Sequence, residues 1–199
     1  MAAELHMPPL PDWIHLPAGV EAISLWTSLY DGRLSRVATN ALARTATLEF
    51  DVYYLWKFHG LPRETRFQLE FEEVSSLRTT RLMRPSVGFL EIVGEEPRHR
   101  AQRLHDHHNT WRKESIAWNA WEREVGSGEG YEVSQAELAS DSNVASVHIG
   151  GFNEAAVFTD IYLTAGRLKF YLNGKTPLTI DEFLEVGGKY WKAFGKRLP

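Results

Sequence analysis

The sequence of 199 residues contains no cysteine. That absence excludes disulfide bonds, thiolate zinc sites, iron–sulfur clusters and cysteine nucleophiles. No apolar run reaches the length of about 18 residues that a membrane-spanning helix requires. The first residues, MAAELHMPPLPDW, also lack the basic and apolar regions of a signal peptide. We therefore expect a cytoplasmic protein without membrane contact.

Positive charge is scarce as well. Lys and Arg number 22 and Asp and Glu number 26, so the net charge is -4 and the isoelectric point is about 6.1. Domains that bind nucleic acid usually carry a basic face, so we expect no nucleic-acid partner. The sequence also lacks a G-x-S-x-G nucleophile elbow and a G-x-G-x-x-G loop between a strand and a helix.

The length permits one domain with a substantial core. Chains of this size bury roughly 70% of their unfolded surface on folding, and β-rich domains reach about 200–250 residues. We expect a single domain over residues 1–199, and the glycine-rich run 126–130 is the candidate for an internal boundary.

Two segments, 47–54 and 66–72, alternate apolar and polar residues with a period of two. Their apolar positions are Leu48, Phe50, Val52, Tyr54, Phe67, Leu69 and Phe71. Successive side chains of a strand point to opposite faces, so each segment is predicted to be a strand with one buried and one wet face. That pattern is typical of antiparallel sheets, because parallel strands are covered on both faces.

Weaker patterns complete the predicted order of elements. In the first half we expect a short helix between Pro17 and Leu29, strands at 33–39 and 45–54, a loop at 56–65, and strands at 66–74 and 77–82. In the second half we expect strands at 131–139, 144–150, 156–164 and 167–172, and a helix at 180–197. Residues 84–130 have the least decisive pattern. There a helix within 110–125 is favoured over a strand, although the spacing of apolar residues fits both.

The last helix has the clearest signal. Thr179 and Glu182 have the spacing of a capping box, in which each side chain binds the backbone N–H of the other. Phe183 and Tyr190 follow at helical spacing, and the glycine pair 187–188 predicts close approach of another element. We therefore predict an α+β fold, in which an antiparallel twisted sheet or open barrel carries this C-terminal amphipathic helix packed on it.

One cluster has the composition of a metal site. His105, His107 and His108 lie beside Asp106 in the segment 99–108. Imidazole and carboxylate ligands suit zinc, iron or nickel, so a divalent transition metal could bind here and serve an enzyme. The spacing matches no motif of known mechanism, and a solvated polar loop is the alternative interpretation.

Aromatic residues are abundant, with 7 Trp, 7 Tyr and 10 Phe. Trp and Tyr are enriched at the hot spots of protein interfaces. Trp56, Trp118 and Trp121 are therefore candidate anchors for a partner protein. The alternative is that these side chains pack in the core or under loops, as most aromatic residues do.

Two polar residues of the second half, Asp160 and His148, lie in predicted strands. Asp160 shares a strand face with Phe158 and Tyr162, and a carboxylate among aromatic rings can be partly buried and functional. His148 lies in an alternating segment, where a structural histidine is the expectation.

Four carboxylates of the first half could pair on the polar face of the sheet. They are Glu49, Asp51, Glu70 and Glu72. Glycosidases use two carboxylates placed in this way, but the polar faces of ordinary antiparallel strands have the same composition.

Residues 26–82 resemble a group of uncharacterised bacterial domains. The matching stretches are LYDGRL at 29–34, ARTATLEF at 43–50, and the alternating positions Phe67, Leu69, Phe71, Val74 and Leu77. In that group a short turn precedes two or three paired strands, and some members are assigned as immunity proteins of polymorphic toxin systems. The resemblance implies a small cytoplasmic bacterial protein that acts by binding, and it assigns no catalytic residue.

The leading hypothesis is a non-enzymatic protein, monomeric or homodimeric, that needs no cofactor. It would bind another protein through an aromatic-rich surface and neutralise or regulate it by occlusion. Two alternatives stay open: a metal-dependent enzyme that uses His105, His107 and His108, and a β-barrel that encloses a small apolar ligand.

Overall fold

A computed structural model describes residues 22–83, 112–116, 122–123, 125, 130–140, 144–152 and 158–195. The elements with described bounds are β1 (Ile23–Ser24), α1 (Trp26–Leu29), β2 (Gly32–Asn40), β3 (Thr45–Val52), α2 (Tyr53–Lys57), β4 (Arg66–Met83), β5 (Arg112–Ile116), β6 (Tyr131–Ser140), β7 (Ala145–Phe152), β8 (Phe158–Leu172), β9 (Thr176–Leu178) and α3 (Ile180–Gly195). Within these ranges no helix is long and apolar enough to cross a membrane. The possible boundary at 126–129 lies outside the described residues.

The strands form a closed, antiparallel ring. Six strands follow one another in the hydrogen-bonded order β4–β3–β2–β6–β7–β8, and β8 pairs back with β4. β5 extends the sheet from β4, β9 from β8 and β1 from β6. A mainly antiparallel sheet with a helix after it confirms the predicted fold class in outline.

The two-residue alternation determines which side chains enter the ring. Along β3 every second residue is buried, and Leu48 lies opposite Val37 on one side and Leu69 on the other. Because directly opposed residues of paired strands share a face, these side chains meet in one apolar interior. The inward prediction for Leu48, Phe50 and Phe67 is confirmed, since each is fully buried.

β4 is one strand, although two strands at 66–74 and 77–82 were predicted. Its register against β8 shifts between Val74 and Ser76, and Glu73 has a φ of 58°. The segment around this bulge is a run of mostly polar residues, which in the sequence resembles a turn. The pairing of β4 with β8 nevertheless continues on both sides of the bulge. β8 likewise spans both strands predicted at 156–164 and 167–172.

Tertiary contacts override the predicted ends of two other elements. Ile23, predicted to be helical, pairs with Leu138 in β1, and within the described residues 22–29 the helix is confined to Trp26–Leu29. The strand predicted at 45–54 ends at Val52, and α2 replaces its last residues and the start of the loop predicted at 56–65. Tyr54 is fully buried within α2. Its burial was therefore predicted correctly, but its backbone is helical and not extended.

The helix favoured within 110–125 is wrong over residues 112–116. That segment is β5, paired with the second half of β4 from Thr79↔Ile116 to Met83↔Arg112. The side-chain pattern of this segment fits a helix and a strand equally well. The strand forms because its backbone groups find hydrogen-bond partners on the free edge of β4. Residues 122–123 are helical.

α3 begins as predicted and packs at the end of the ring where β4 starts and β8 ends. The Thr179 backbone N–H donates to Glu182 at 2.7 Å, and the Glu182 N–H donates to the Thr179 hydroxyl at 3.2 Å. Phe183 is fully buried, with its ring 4.8 Å from Phe67 and 4.7 Å from Phe170. The capping box and the packing of the C-terminal helix on the sheet are confirmed.

Candidate functional site

Exposed large hydrophobic side chains are few in the described part of the chain, and most of them are aromatic. Trp26 is 38% exposed, Phe58 36% and Phe194 42%. The remaining one, Leu42, is 99% exposed in the turn between β2 and β3. Single exposed apolar residues are ordinary on protein surfaces, so what matters is whether the three aromatic side chains are neighbours.

They belong to one chain of ring contacts. Trp26 stacks parallel to Trp191 at 6.2 Å, and Trp191 contacts Phe194 at 5.7 Å. Phe194 contacts Tyr190 at 6.0 Å, and Tyr190 contacts Phe58 at 5.5 Å. Together with Tyr30, which lies 4.3 Å from Trp26 and 5.2 Å from Trp191, these residues form the aromatic patch: Trp26, Tyr30, Phe58, Tyr190, Trp191 and Phe194.

Hydrogen bonds beneath the aromatic patch hold α1 against α3. The Ser28 hydroxyl donates to the Phe183 carbonyl at 2.8 Å, and the Tyr54 hydroxyl donates to the Ser28 carbonyl at 2.7 Å. Gly187 permits this contact, because a Cβ there would lie 2.7 Å from the Cα of Ser28. The close approach predicted at the glycine pair is confirmed for Gly187, whereas a Cβ on Gly188 would meet open space.

The hydroxyls of Tyr53 and Tyr54, which lie under this region, stay neutral. Burial raises the pKa of Tyr54 far above its usual range. Burial also raises the pKa of Tyr53, and its hydrogen bond to the hydroxyl of Tyr190 acts in the same direction. The rings that support the aromatic patch therefore carry no charge near neutral pH.

Two cations lie over one indole ring in α2 and the segment that follows it. Trp56 is half-buried, and the Lys57 ammonium lies 5.2 Å and the Arg63 guanidinium 5.6 Å from its ring centroid. Cations at this distance from an indole are held by attraction to the ring. Trp56, a predicted anchor, thus contacts two cations, and one of them, Lys57, directly precedes Phe58 of the aromatic patch in the chain.

No family model, no curated protein and no solved structure matches this chain. The function has to be inferred from the chemistry of the described residues.

The other sequence-predicted sites have mixed outcomes. Trp118 and Trp121, the remaining candidate anchors, lie outside the described residues. The same holds for the candidate metal ligands His105, His107 and His108. Among the residues with described structure, no three His, Cys, Asp or Glu side chains are grouped to hold a metal ion.

Three of the four carboxylates predicted on the polar sheet face have basic partners. Glu49 pairs with Arg36 at 3.0 Å, and Asp51 pairs with Arg66 at 3.1 Å. The hydrogen bond from Lys169 to Glu72 lowers the pKa of that exposed carboxyl. This ladder of ion pairs is typical of a solvated sheet face rather than of a glycosidase pair.

His148 and Asp160 meet on the outward face of β7 and β8. His148 is 4% exposed, its Nε2 lies 3.0 Å from Asp160 Oδ1, and its ring stacks parallel to Tyr162 at 4.5 Å. Burial, then the charges of Asp160 and Glu137, raise the pKa of Tyr162. Since an ionised carboxylate only accepts hydrogen bonds, His148 donates from Nε2, and in the neutral ring Nδ1 is then an acceptor.

In a catalytic triad, a nucleophile lies within hydrogen-bond reach of the second ring nitrogen. The buried Nδ1 of His148 has no hydrogen-bond partner in the described part of the molecule. Among the described residues, one nitrogen of the His148 ring is thus oriented by Asp160 and the other is unsatisfied. A structural role for His148 stays a prediction.

Two pockets bear on the small-ligand alternative. Inside the ring, a cavity of about 10 Å³ is bounded by side chains that include Leu34, Tyr131 and Ile149, and it is near the minimum for one water molecule. A groove of about 450 Å³, lined by residues such as Leu138, Phe170 and Ile180, opens to solvent beside β9 and the start of α3. The larger of these two spaces is thus a surface groove rather than an enclosed cavity.

The aromatic patch could not be identified by the density of aromatic residues in the sequence. Its members come from α1, from the residue after α1, from the residue after α2 and from α3, and Trp26 and Phe194 are far apart in the chain. A usable signal was present in α3, where Trp191 and Phe194 widen the apolar stripe toward the end of the helix.

Proposed function

We propose that this chain is a non-enzymatic cytoplasmic protein that binds another protein through the aromatic patch. The observation that carries the proposal is the contact-linked grouping of Trp26, Phe58 and Phe194, the exposed large aromatic residues of the described chain. Aromatic side chains dominate the energetics of protein interfaces, and contiguous apolar surface marks sites of interaction.

The support beneath the aromatic patch favours tight binding. Trp191 donates from Nε1 to the Thr27 carbonyl at 2.8 Å, and its ring contacts both Tyr30 and Phe194. A side chain that is already fixed loses little conformational entropy when a partner covers it. A partner would therefore gain the burial of these rings at a low ordering cost.

Occlusion is the mode of action that needs nothing more than such a surface. A rigid protein that covers a functional region of its partner neutralises or regulates that partner without chemistry of its own. This is also what the resemblance of residues 26–82 to immunity-protein-like domains implies.

Site-specific photocrosslinking tests the proposal in cell extract. p-Benzoylphenylalanine would replace Phe194 in one protein and Leu42, the exposed residue in the β2–β3 turn, in a control. We expect one protein to crosslink at position 194 and not at position 42. The captured protein would then be purified and its Kd measured for the unmodified chain and for Phe194→Ala.

A discrete partner whose Kd rises at least about thirtyfold with Phe194→Ala would support the proposal, since hot-spot truncations cost about 2 kcal/mol or more. A partner whose affinity is unchanged by Phe194→Ala and by Trp26→Ala would overturn it.

A further inference from the structure

Two cations lie close to Phe58 of the aromatic patch in the chain, and both are positioned by one ring. Lys57 and Arg63 both lie over the ring of Trp56, and both are exposed. Phe58, an exposed member of the aromatic patch, follows Lys57 directly in the chain. Lys57 therefore adjoins an exposed apolar residue in the chain, and Arg63 shares the indole of Trp56 with it.

These two cations differ from those on the sheet face. There Arg36, Arg66 and Lys169 each pair with a carboxylate. Within the described residues, neither Lys57 nor Arg63 has a carboxylate within ion-pair distance, and Glu64 beside Arg63 forms no ion pair. No ion pair with another described residue compensates the charge of Lys57 or Arg63.

Resting on the proposed function, we propose that the partner presents an acidic segment to the aromatic patch. A bulky apolar residue of that segment packs on Phe58 and Phe194, and neighbouring Asp or Glu side chains pair with Lys57 and Arg63. Electrostatic complementarity of this kind sets the orientation and specificity of an interface more than its size does.

The ring of Trp56 makes these cations effective. By holding both side chains, the indole reduces the rotamer freedom that they lose when a carboxylate binds. The guanidinium of Arg63 can also bind a carboxylate through two parallel hydrogen bonds. Covering by the partner removes water from around these cations and so strengthens the attraction between the charges.

A random peptide library displayed on phage gives a direct test without knowledge of the natural partner. The library would be selected on the full chain, and the Kd of enriched synthetic peptides would be measured by fluorescence anisotropy. The variants are Phe194→Ala and the double charge reversal Lys57→Glu/Arg63→Glu. The matched control, Arg123→Glu/Lys175→Glu, changes the net charge equally at exposed residues that are neither in the aromatic patch nor next to its members in the chain.

We expect enriched peptides to combine Asp or Glu with a bulky apolar residue. The reversal at Lys57 and Arg63 should weaken them at least about tenfold, added salt should weaken them as well, and the control reversal should have little effect. Far-UV circular dichroism would show that the exposed substitutions leave the fold intact.

The failures of the two proposals are distinguishable. Suppose that the enriched peptides lose affinity for Phe194→Ala but bind the Lys57→Glu/Arg63→Glu variant as tightly as the unmodified chain. That result would overturn the acidic-partner inference and leave the proposed binding function standing. Peptides that bind elsewhere, without dependence on Phe194, would contradict the aromatic patch as the binding surface.

Discussion

The indole Nε1 of Trp191 donates a 2.8 Å hydrogen bond to the carbonyl oxygen of Thr27, which lies 164 positions earlier in the chain. The bond fixes the last part of α3 against α1. Both elements contribute exposed rings to the aromatic patch, so the shape of the patch depends on this contact between distant parts of the sequence.

Gly187→Ala should destabilise the protein strongly. The added Cβ would lie 2.7 Å from Ser28 Cα, and overpacking of a tight contact costs about 1–3 kcal/mol or more. Gly188→Ala is the matched control, because its Cβ would meet open space. It should stabilise α3 by up to about 1 kcal/mol. Urea unfolding measures both, and equal effects of the two substitutions would contradict the packing described here.

Ser28→Ala should cost about 1–2 kcal/mol in the free energy of unfolding, as expected for a buried hydrogen bond. The Ser28 hydroxyl is fully buried and donates to the Phe183 carbonyl at 2.8 Å. Ser35→Ala removes an exposed hydrogen bond of 3.2 Å to the Glu49 carbonyl and should change stability by less than about 0.5 kcal/mol. The reverse order in denaturant unfolding would show that α1 and α3 are not joined through Ser28.

Neutral His148 should carry its proton on Nε2. Asp160 accepts from that nitrogen at 3.0 Å, and an ionised carboxylate has no proton to donate. Long-range ¹H–¹⁵N NMR correlations of the imidazole distinguish the two tautomers. A proton on Nδ1 in the neutral ring would be incompatible with the hydrogen bond to Asp160.

Glu182→Gln should flatten the acid limb of the stability curve. The hydrogen bond from the Thr179 backbone N–H lowers the pKa of Glu182 below its usual 4.5. A carboxyl with a depressed pKa contributes stability that is present above the pKa of the unfolded chain and is lost as the pH falls through the lower folded value. Gln can occupy the same place in a capping box, so stability at neutral pH should change little. Unfolding by urea between pH 2 and pH 7 tests this, and an unchanged acid limb would count against it.

The sequence predicted the elements whose signal is local. Alternation identified the inward side chains of β3 and of the first half of β4, and Thr179 with Glu182 identified the start of α3. Each depends on residues only two or three positions apart.

Closure of the ring could not be predicted in this way. It requires β4 to pair with β8 across the bulge near Glu73, and the polar residues of that bulge suggested a turn. β5 was misassigned because only the edge of β4 distinguishes a strand from a helix there. The aromatic patch was missed because packing of α3 on α1, permitted by Gly187, brings Trp26 and Phe194 into one cluster.

The central claim is that a partner binds through the aromatic patch, and the most direct test is the affinity of the partner that crosslinking identifies. After that partner is purified without a crosslink, isothermal titration would give its Kd for the unmodified chain, for Trp26→Ala/Phe194→Ala and for Leu42→Ala. All three should have the same circular dichroism spectrum. Binding through the aromatic patch predicts that the double variant loses at least about thirtyfold in affinity and that Leu42→Ala binds like the unmodified chain. Equal affinity of all three proteins would contradict the account.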